Sequence, residues 1–320
     1  MRRRAIVRLT TQFMLDYVGL LSRLFDQDIV KGLVFLAIGD ANIGYIDAQP
    51  ELAAAYGGLD APPPDEMRRP IRPHKLALSL GVPRETVRRK VSALLQEGWL
   101  VECDQGVYIP SALVASDKAR MVAIAITQLL TQLCDRLARL GVEGAAPPPA
   151  DISGLPHRAM ARVTAGYCLR SLDEIRRLFS GDLLTGYIYC SVVAANTNYL
   201  DELPVRAYVD LDDHVPDELR RPISALALAA RTGLPRETVR RHVRKLERLS
   251  ALRTVPGGLI GPQAYLRDPR IVSATVRNAA NLRLLLQELQ AVGFPRPIQV
   301  EGGQVEGGQA DGGQRAVGGP

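Results

Sequence analysis

The chain has 320 residues and a formal net charge of +6, and 47% of its residues are hydrophobic. This length suits about two domains, and the apolar content excludes a chain that is disordered throughout. The modest basic excess is compatible with a polyanionic partner.

Cysteine usage and the start of the chain favour a reducing cytoplasm. The four cysteines are widely spaced and form no CxxC pair, which argues against a zinc site or a disulfide framework. The basic N-terminus is followed by a stretch that polar residues interrupt, so we expect no signal peptide. No run reaches the roughly 18 apolar residues that a span needs, so we predict no membrane segment.

The chain contains an internal repeat. Residues 68–94 align without a gap on residues 220–246, and 16 of the 27 aligned positions are identical. Weaker matches extend in both directions, which indicates two homologous domains. In chain order we predict a first domain over 1–143, a Pro/Ala linker over 144–153, a second domain over 154–294 and a disordered Gly/Gln-rich tail over 295–320.

Hydrophobic periodicity predicts the same succession of elements in each repeat. An apolar helix over 28–47 contains Asn42, whose counterpart is Asn196. We interpret this amide as satisfying neighbouring groups rather than as a functional contact. A helix, a turn at a glycine and a second helix follow, which is the helix-turn-helix pattern; a hairpin (the wing) and a long amphipathic helix complete the repeat. We expect the helix-turn-helix over about 74–97 and 226–249, the wing over about 98–110 and 251–262, and the long helix over about 118–140 and 271–292.

One motif, Gly-x-Pro-Arg-Glu-Thr-Val-Arg-Arg, starts at Gly81 and again at Gly233, where it opens the second helix of each pair. It resembles the recognition helix of the Crp/Fnr family of bacterial regulators. The helix-turn-helix, wing and long helices resemble the plan of MarR-type winged-helix regulators over most of 15–141 and 170–293. These resemblances imply a DNA-binding transcription regulator.

The Crp/Fnr resemblance also implies which side chains contact DNA. Those reaching base edges would be Arg84, Glu85, Arg89, Arg236, Glu237 and Arg241, and those touching phosphate Thr86 and Thr238. Elementary chemistry agrees, because the first residues of a recognition helix point into the major groove, where arginine reads guanine and glutamate accepts from cytosine. Arg88 and Arg240 stand where the family has a small residue. With the further basic positions, the expected phosphate contacts are Arg88, Lys90, Arg240, His242 and Arg244.

We therefore predict a mainly α fold with small β wings, made of two tandem winged helix-turn-helix domains from an internal duplication. The long helices 118–140 and 271–292 are expected to pack together in an intramolecular pseudo-dimer. The recognition helices would then enter successive major grooves of double-stranded DNA, with half-site centres about one helical turn apart. Whether two chains form a homodimer stays open, and so does whether the protein binds a small-molecule effector.

Two other functions are compatible with this pattern: a plasmid replication initiator, and an adaptor whose winged helices bind proteins. The acidic segment around Asp210, Asp213 and Asp217 lacks the glycine geometry of an EF-hand, and we interpret it as a solvated loop. No Walker A, GxGxxG, GxSxG or HExxH motif is present, so we expect no enzyme activity, cofactor or metal.

Overall fold

The computed structural model describes residues 3–202, 208–210 and 213–295, where the protein is mainly helical with two small antiparallel sheets. We call residues 3–143 the first half and residues 154–295 the second half. The predicted tail lies outside the described residues except for Pro295, and so do Leu211 and Asp212 of the acidic segment.

The two halves contain the same kinds of element in the same order, except that the short helix Pro50–Ala55 has no counterpart among the described residues of the second half. The first half comprises α1 (Arg3–Arg23), α2 (Ile29–Ile43), a 3₁₀ turn (Gly44–Ala48), α3 (Pro50–Ala55), a 3₁₀ turn (Asp65–Met67), α4 (Pro73–Leu80), α5 (Arg84–Gln96), β1 (Val101–Cys103), β2 (Gly106–Tyr108), α6 (Ser111–Ala115) and α7 (Asp117–Arg139). The second half comprises α8 (His157–Leu178), α9 (Leu183–Thr197), a 3₁₀ turn (Asn198–Glu202), a 3₁₀ turn (Asp217–Leu219), α10 (Ala225–Thr232), α11 (Arg236–Arg248), β3 (Arg253–Val255), β4 (Gly258–Ile260), α12 (Gln263–Leu266) and α13 (Pro269–Ala291). The predicted helix pairs, hairpins and long helices are confirmed as secondary structure.

The turn between the paired helices is set by glycine and proline. α4 ends at Gly81 with φ 62°, and α10 ends at Gly233 with φ 66°, a left-handed conformation that favours glycine. Pro83 and Pro235 then directly precede α5 and α11, where the missing N–H is not needed by the helix. The chain therefore turns within three residues and starts a new helix at a fixed place in each half.

A buried asparagine fastens each hairpin to the apolar helix beneath it. Asn42 donates to the carbonyls of Arg69 (2.9 Å) and Val107 (3.4 Å) and accepts from the backbone N–H of Ile109 (3.0 Å). Asn196 makes the equivalent contacts, which are with Arg221, Leu259 and Gly261. The interpretation of this repeated amide as a structural group is confirmed.

Three hydrophobic clusters form the core of the described part of the protein. One lies in the first half between α2, α4, α5 and the β1–β2 hairpin, and its counterpart in the second half lies between α9, α10, α11 and the β3–β4 hairpin. The third is shared, with residues from α1, α7, α8 and α13. Helices from both halves thus contribute to the shared cluster, which joins the two halves.

The long helices α7 and α13 are not each other's packing partners. Each packs against both α1 and α8, which separate them. The prediction that 118–140 and 271–292 pack together is therefore wrong. An apolar stripe shows that a helix has a partner but does not identify it, and α1 and α8 also carry apolar faces.

The first helix of each half also binds the other half. In α8, Arg162 Nη2 lies 2.6 Å from Asp47 Oδ1, and both side chains are nearly buried. Arg158, also buried, donates to the carbonyls of Val114 and Leu59. In α1 the equivalent bonds run from Arg8 Nη1 to Tyr208 O (2.7 Å) and from the backbone N–H of Arg4 to Val209 O (2.9 Å).

Among the residues that the structure describes, two helical segments are long and apolar enough to cross a membrane by length and composition, namely Ile29–Ala48 and Asp117–Arg139. The pair His157–Leu178 and Leu183–Leu200, bent by 98°, would add a third if it formed one span. Within the protein, 56% and 44% of the two apolar windows are buried. The expected absence of membrane segments stays a prediction.

Candidate nucleic-acid interface

Helix α5 buries one face and exposes the other. Val87, Val91 and Leu94 are buried in the first-half core and fix the helix in rotation. Of the predicted contact residues, the structure places on the exposed side Arg84, Glu85, Arg88 and Arg89. These side chains occupy the first turn and a half of the helix, the part that enters a groove in helix-turn-helix proteins.

Helix α11 repeats this arrangement in the second half. Its inner face is formed by Val239, Val243 and Leu246, all buried. The exposed contact candidates are Arg236, Glu237, Arg240, Arg241 and Arg244. Thr86 and Thr238 are half-buried at the edge of the two exposed faces.

On each exposed face, one arginine pairs with a glutamate of the same helix. The other arginines of that face have no ion-pair partner among the described residues. Arg88 Nη2 lies 2.7 Å from Glu85 Oε1, and this hydrogen bond holds the pKa of the Glu85 carboxyl below its usual value. The corresponding separation between Arg240 and Glu237 is 3.9 Å. Within residues 3–202, 208–210 and 213–295, no carboxylate or carbonyl accepts a hydrogen bond from the guanidinium groups of Arg84, Arg89, Arg236, Arg241 and Arg244. They are available to an external acceptor.

Lys90 does not belong to this exposed face. Its ammonium group pairs with the carboxylate of Asp28, which caps α2 by accepting from the backbone N–H of Lys31. The pair links the candidate recognition helix to α2. The expected phosphate contact of Lys90 would therefore require this pair to open.

The predicted phosphate contact of His242 is wrong. The residue is 7% exposed, and its Nδ1 lies 2.8 Å from Thr185 Oγ1, beneath α11. Asp182, the cap of α9, lies nearby and binds Lys245 at 2.8 Å. His242 thus connects α11 to α9, as Lys90 connects α5 to α2.

Burial lowers the pKa of His242 below its usual value of about 6.5, although Asp182 opposes this shift. The unfolded chain takes up a proton here as the pH falls through about 6.5, whereas the folded protein resists it. We expect the free energy of unfolding to be constant above that pH and to decrease below it, by at most about 1.4 kcal/mol per pH unit for this proton.

The measurement is urea unfolding between pH 5 and pH 8, with His242→Gln reducing the slope below pH 6.5. The control is His74→Gln, which removes a histidine exposed on α4 in the other half. An unaltered slope in His242→Gln would contradict the assignment. His157 contributes a slope of the same sign in every variant, because burial lowers its pKa too.

Sequence reasoning missed two repeated arginines that position the helix pairs. Arg68 is buried, pairs with Asp65 and donates to the carbonyl of Pro63. Its neighbour Arg69 stacks over the ring of Tyr45, 3.6 Å from its centroid. The equivalents in the second half are Arg220 with Asp217 and Val215, and Arg221 over Tyr199. The sequence does contain a signal for this role, which is the aspartate three residues before each buried arginine.

The two hairpins present different charges. The first carries exposed acidic side chains at Glu102 and Asp104. The second carries Arg253, which pairs with Asp217 at 3.0 Å. An anionic partner would therefore meet less repulsion at the second hairpin.

Within the described part of the chain, no group of three or more His, Cys, Asp or Glu side chains is placed to hold a metal ion. Comparisons of the chain with protein-family models, with curated proteins and with solved structures gave no significant match.

Proposed function

We propose that the chain is a sequence-specific double-stranded DNA-binding protein that regulates transcription in the cytoplasm. In this proposal each half is a winged helix-turn-helix domain, with α4–α5 and α10–α11 as the helix pairs and the hairpins as wings, and the two derive from an internal duplication. The observation that carries the proposal is the pair of exposed, arginine-rich helix starts, repeated in both halves with the same residues and the same supporting core.

The chemistry of these helix starts fits the major groove. Arginine offers two parallel N–H donors to the N7 and O6 acceptors of guanine, and glutamate accepts from the N4 amine of cytosine. We assign base contacts in each half to Arg84, Glu85, Arg89, Arg236, Glu237 and Arg241. Arg88 and Arg240 would leave their ion pairs with glutamate to reach phosphate, with Thr86 and Thr238 beside them.

The second recognition helix should bind DNA more tightly than the first. Arg244 is exposed and occupies the place of Ser92, and Lys90 is already engaged by Asp28. The acidic first hairpin adds to this difference. We therefore infer a pseudo-palindromic site whose two halves are read with unequal strength.

Replacing Arg244 by alanine should weaken binding to all DNA sequences by a similar factor, because this side chain is expected to touch phosphate. Removing one phosphate contact lowers the slope of log K against log salt by about one. The measurement is fluorescence anisotropy over a salt series, with Ser92→Ala as the matched control. A loss that depends on the DNA sequence would contradict the phosphate assignment.

The deciding experiment is selection from a random double-stranded DNA pool, followed by salt titration on the enriched site. Enrichment of a pseudo-palindrome, bound tightly and with a steep salt dependence, supports the proposal. Absence of enrichment together with weak binding at low salt would overturn it and favour an adaptor that binds protein. Enrichment of directly repeated sites would favour a replication initiator instead.

A further inference from the structure

The first half exposes a basic surface at residues 72–75, which we call the start of α4, and the second half does not share it. The exposed basic side chains of this segment are Arg72, His74 and Lys75. The repeat places exposed, uncharged side chains at the same positions of α10, which are Ser224, Leu226 and Ala227. The two helix pairs therefore differ in charge at the start of their first helix.

The two helix starts also differ in how their backbone N–H groups are satisfied. Ser224 caps α10, because its side chain accepts from the backbone N–H of Ala227 at 3.1 Å. Arg72 occupies the equivalent position of α4, and no side-chain hydrogen bond caps this helix. The first N–H groups of a helix favour an anion, because the protein backbone gives them no partner. The uncapped start of α4 therefore adds backbone donors to its basic side chains.

The protein does not neutralise the two cations at the start of α4. Neither the guanidinium of Arg72 nor the ammonium of Lys75 has a hydrogen-bond or ion-pair partner among the described residues. The rotation of α4 is fixed by three residues of the first-half core, which are Leu76, Ala77 and Leu80. The packed helix thus holds both cations at the surface, where an external anion can reach them.

The start of α4 lies next to the hairpin and one helix length from the start of α5. Ile71, the residue before Arg72, exchanges two backbone hydrogen bonds with Val107 of β2, each of 3.0 Å. The eight residues of α4 make it about 12 Å long. The major groove is about 12 Å wide and about 8.5 Å deep. A helix of this length leads from the start of α5 in the groove to the phosphates at the edge of the groove.

We propose that the start of α4 binds the DNA backbone, so that the two halves are anchored to phosphate by different elements. In the first half, Arg72 and Lys75 would donate to phosphate oxygens beside the half-site that α5 reads. In the second half, the start of α10 has no cation, and the anchor is Arg244 of α11, whose counterpart is Ser92. This inference rests on the proposed DNA binding and adds contacts outside the recognition helices.

The additional anchor offsets the charge of the neighbouring hairpin. Glu102 and Asp104 are exposed on that hairpin and would repel the DNA backbone. Two unpaired cations beside it supply the attraction that the hairpin lacks. Contacts to phosphate are independent of base sequence, so this anchor raises affinity without changing which bases are read.

The test is Arg72→Ala with Lys75→Ala in the full chain, measured by fluorescence anisotropy on the DNA that the unaltered chain selects. We expect the affinity to fall at least about tenfold, and the slope of log K against log salt to fall by about two. Circular dichroism checks the fold. Arg139→Ala with Arg283→Ala removes the same charge from the long helices and should change the slope far less. Ser224→Ala, at the place of Arg72 in the second half, should leave the slope unchanged.

Methylphosphonate linkages in the DNA locate the two anchors, because each linkage removes the charge of one phosphate. Arg84→Ala identifies the half-site that α5 reads. Neutralising the contacted phosphates there should weaken binding of the unaltered chain, and should weaken binding of the Arg72/Lys75 variant less. Beside the other half-site, the effect of neutralisation should be the same in these two proteins and should be smaller in Arg244→Ala.

Three results would overturn this inference and leave the proposed DNA binding intact. The first is an unchanged salt slope in the Arg72/Lys75 variant. The second is that this variant and the unaltered chain respond equally to every neutralised phosphate, and the third is a changed base preference in the variant. If the unaltered chain selects no DNA, the proposed function fails, and this inference fails with it.

Discussion

Replacing Arg84 and Arg236 together by alanine is expected to weaken binding to the selected DNA by at least about 100-fold. Each arginine is proposed to make a bidentate contact to guanine, and such a contact contributes roughly 1–3 kcal/mol of discrimination. Both are exposed and have no carboxylate partner in the described part of the protein, so the fold should be retained. Electrophoretic mobility shift with the selected site measures the loss, and circular dichroism checks the fold.

The matched control removes two exposed arginines from the long helices, Arg139→Ala with Arg283→Ala. This variant has the same change in net charge but leaves α5 and α11 intact. It should lose far less affinity than the Arg84/Arg236 variant. If both double variants lose the same DNA affinity, the binding reflects overall charge, and the proposed base contacts are wrong. The two single variants should each affect one half-site of the selected sequence.

Features set by a few neighbouring residues could be predicted from the sequence. Gly81 favours the left-handed turn wherever the rest of the chain lies, and Asp104–Gln105 forms the hairpin tip. The exposed face of α5 follows from the spacing of its apolar residues. Local backbone preferences and helical periodicity therefore determine the turns, the hairpins and which arginines face solvent.

The assembly of the two halves could not be predicted in the same way. The apolar stripe of α7 fits any apolar partner of similar length, and the sequence does not rank α13 against α1 or α8. The ion pair between Arg162 and Asp47 joins residues 115 positions apart and leaves no local pattern. Packing choices of this kind depend on the summed fit of many side chains.

The burial of His242 follows from the helical periodicity of α11. Val239, Val243 and Leu246 define the buried stripe of α11, and a residue three positions after Val239 falls on the same side of a helix. His242 and its counterpart Lys90 occupy that position. Helical phase, and not basic character, decides which side chains of α11 are exposed.

Replacing Asn42 by alanine is expected to lower the free energy of unfolding by about 3 kcal/mol. The side chain is fully buried and makes three hydrogen bonds to backbone groups. Alanine would leave the N–H of Ile109 and the carbonyl of Arg69 without this amide, and each unsatisfied buried group costs about 1–3 kcal/mol. Urea unfolding followed by circular dichroism measures the change.

Asn196→Ala should have an effect of similar size, since this residue makes the equivalent bonds at 2.8, 3.1 and 2.9 Å. Asn278→Ala is the control, because Asn278 is half-buried and donates to the hydroxyl of Thr10 alone among the described residues. Asn278→Ala should lower the free energy of unfolding by about 1 kcal/mol. Equal losses in all three variants would show that the amide network is not what fastens the hairpins. A larger loss in Asn42→Ala and Asn196→Ala would mean that each hairpin is held in place by this repeated asparagine, and with it the start of the helix pair that carries the exposed arginines.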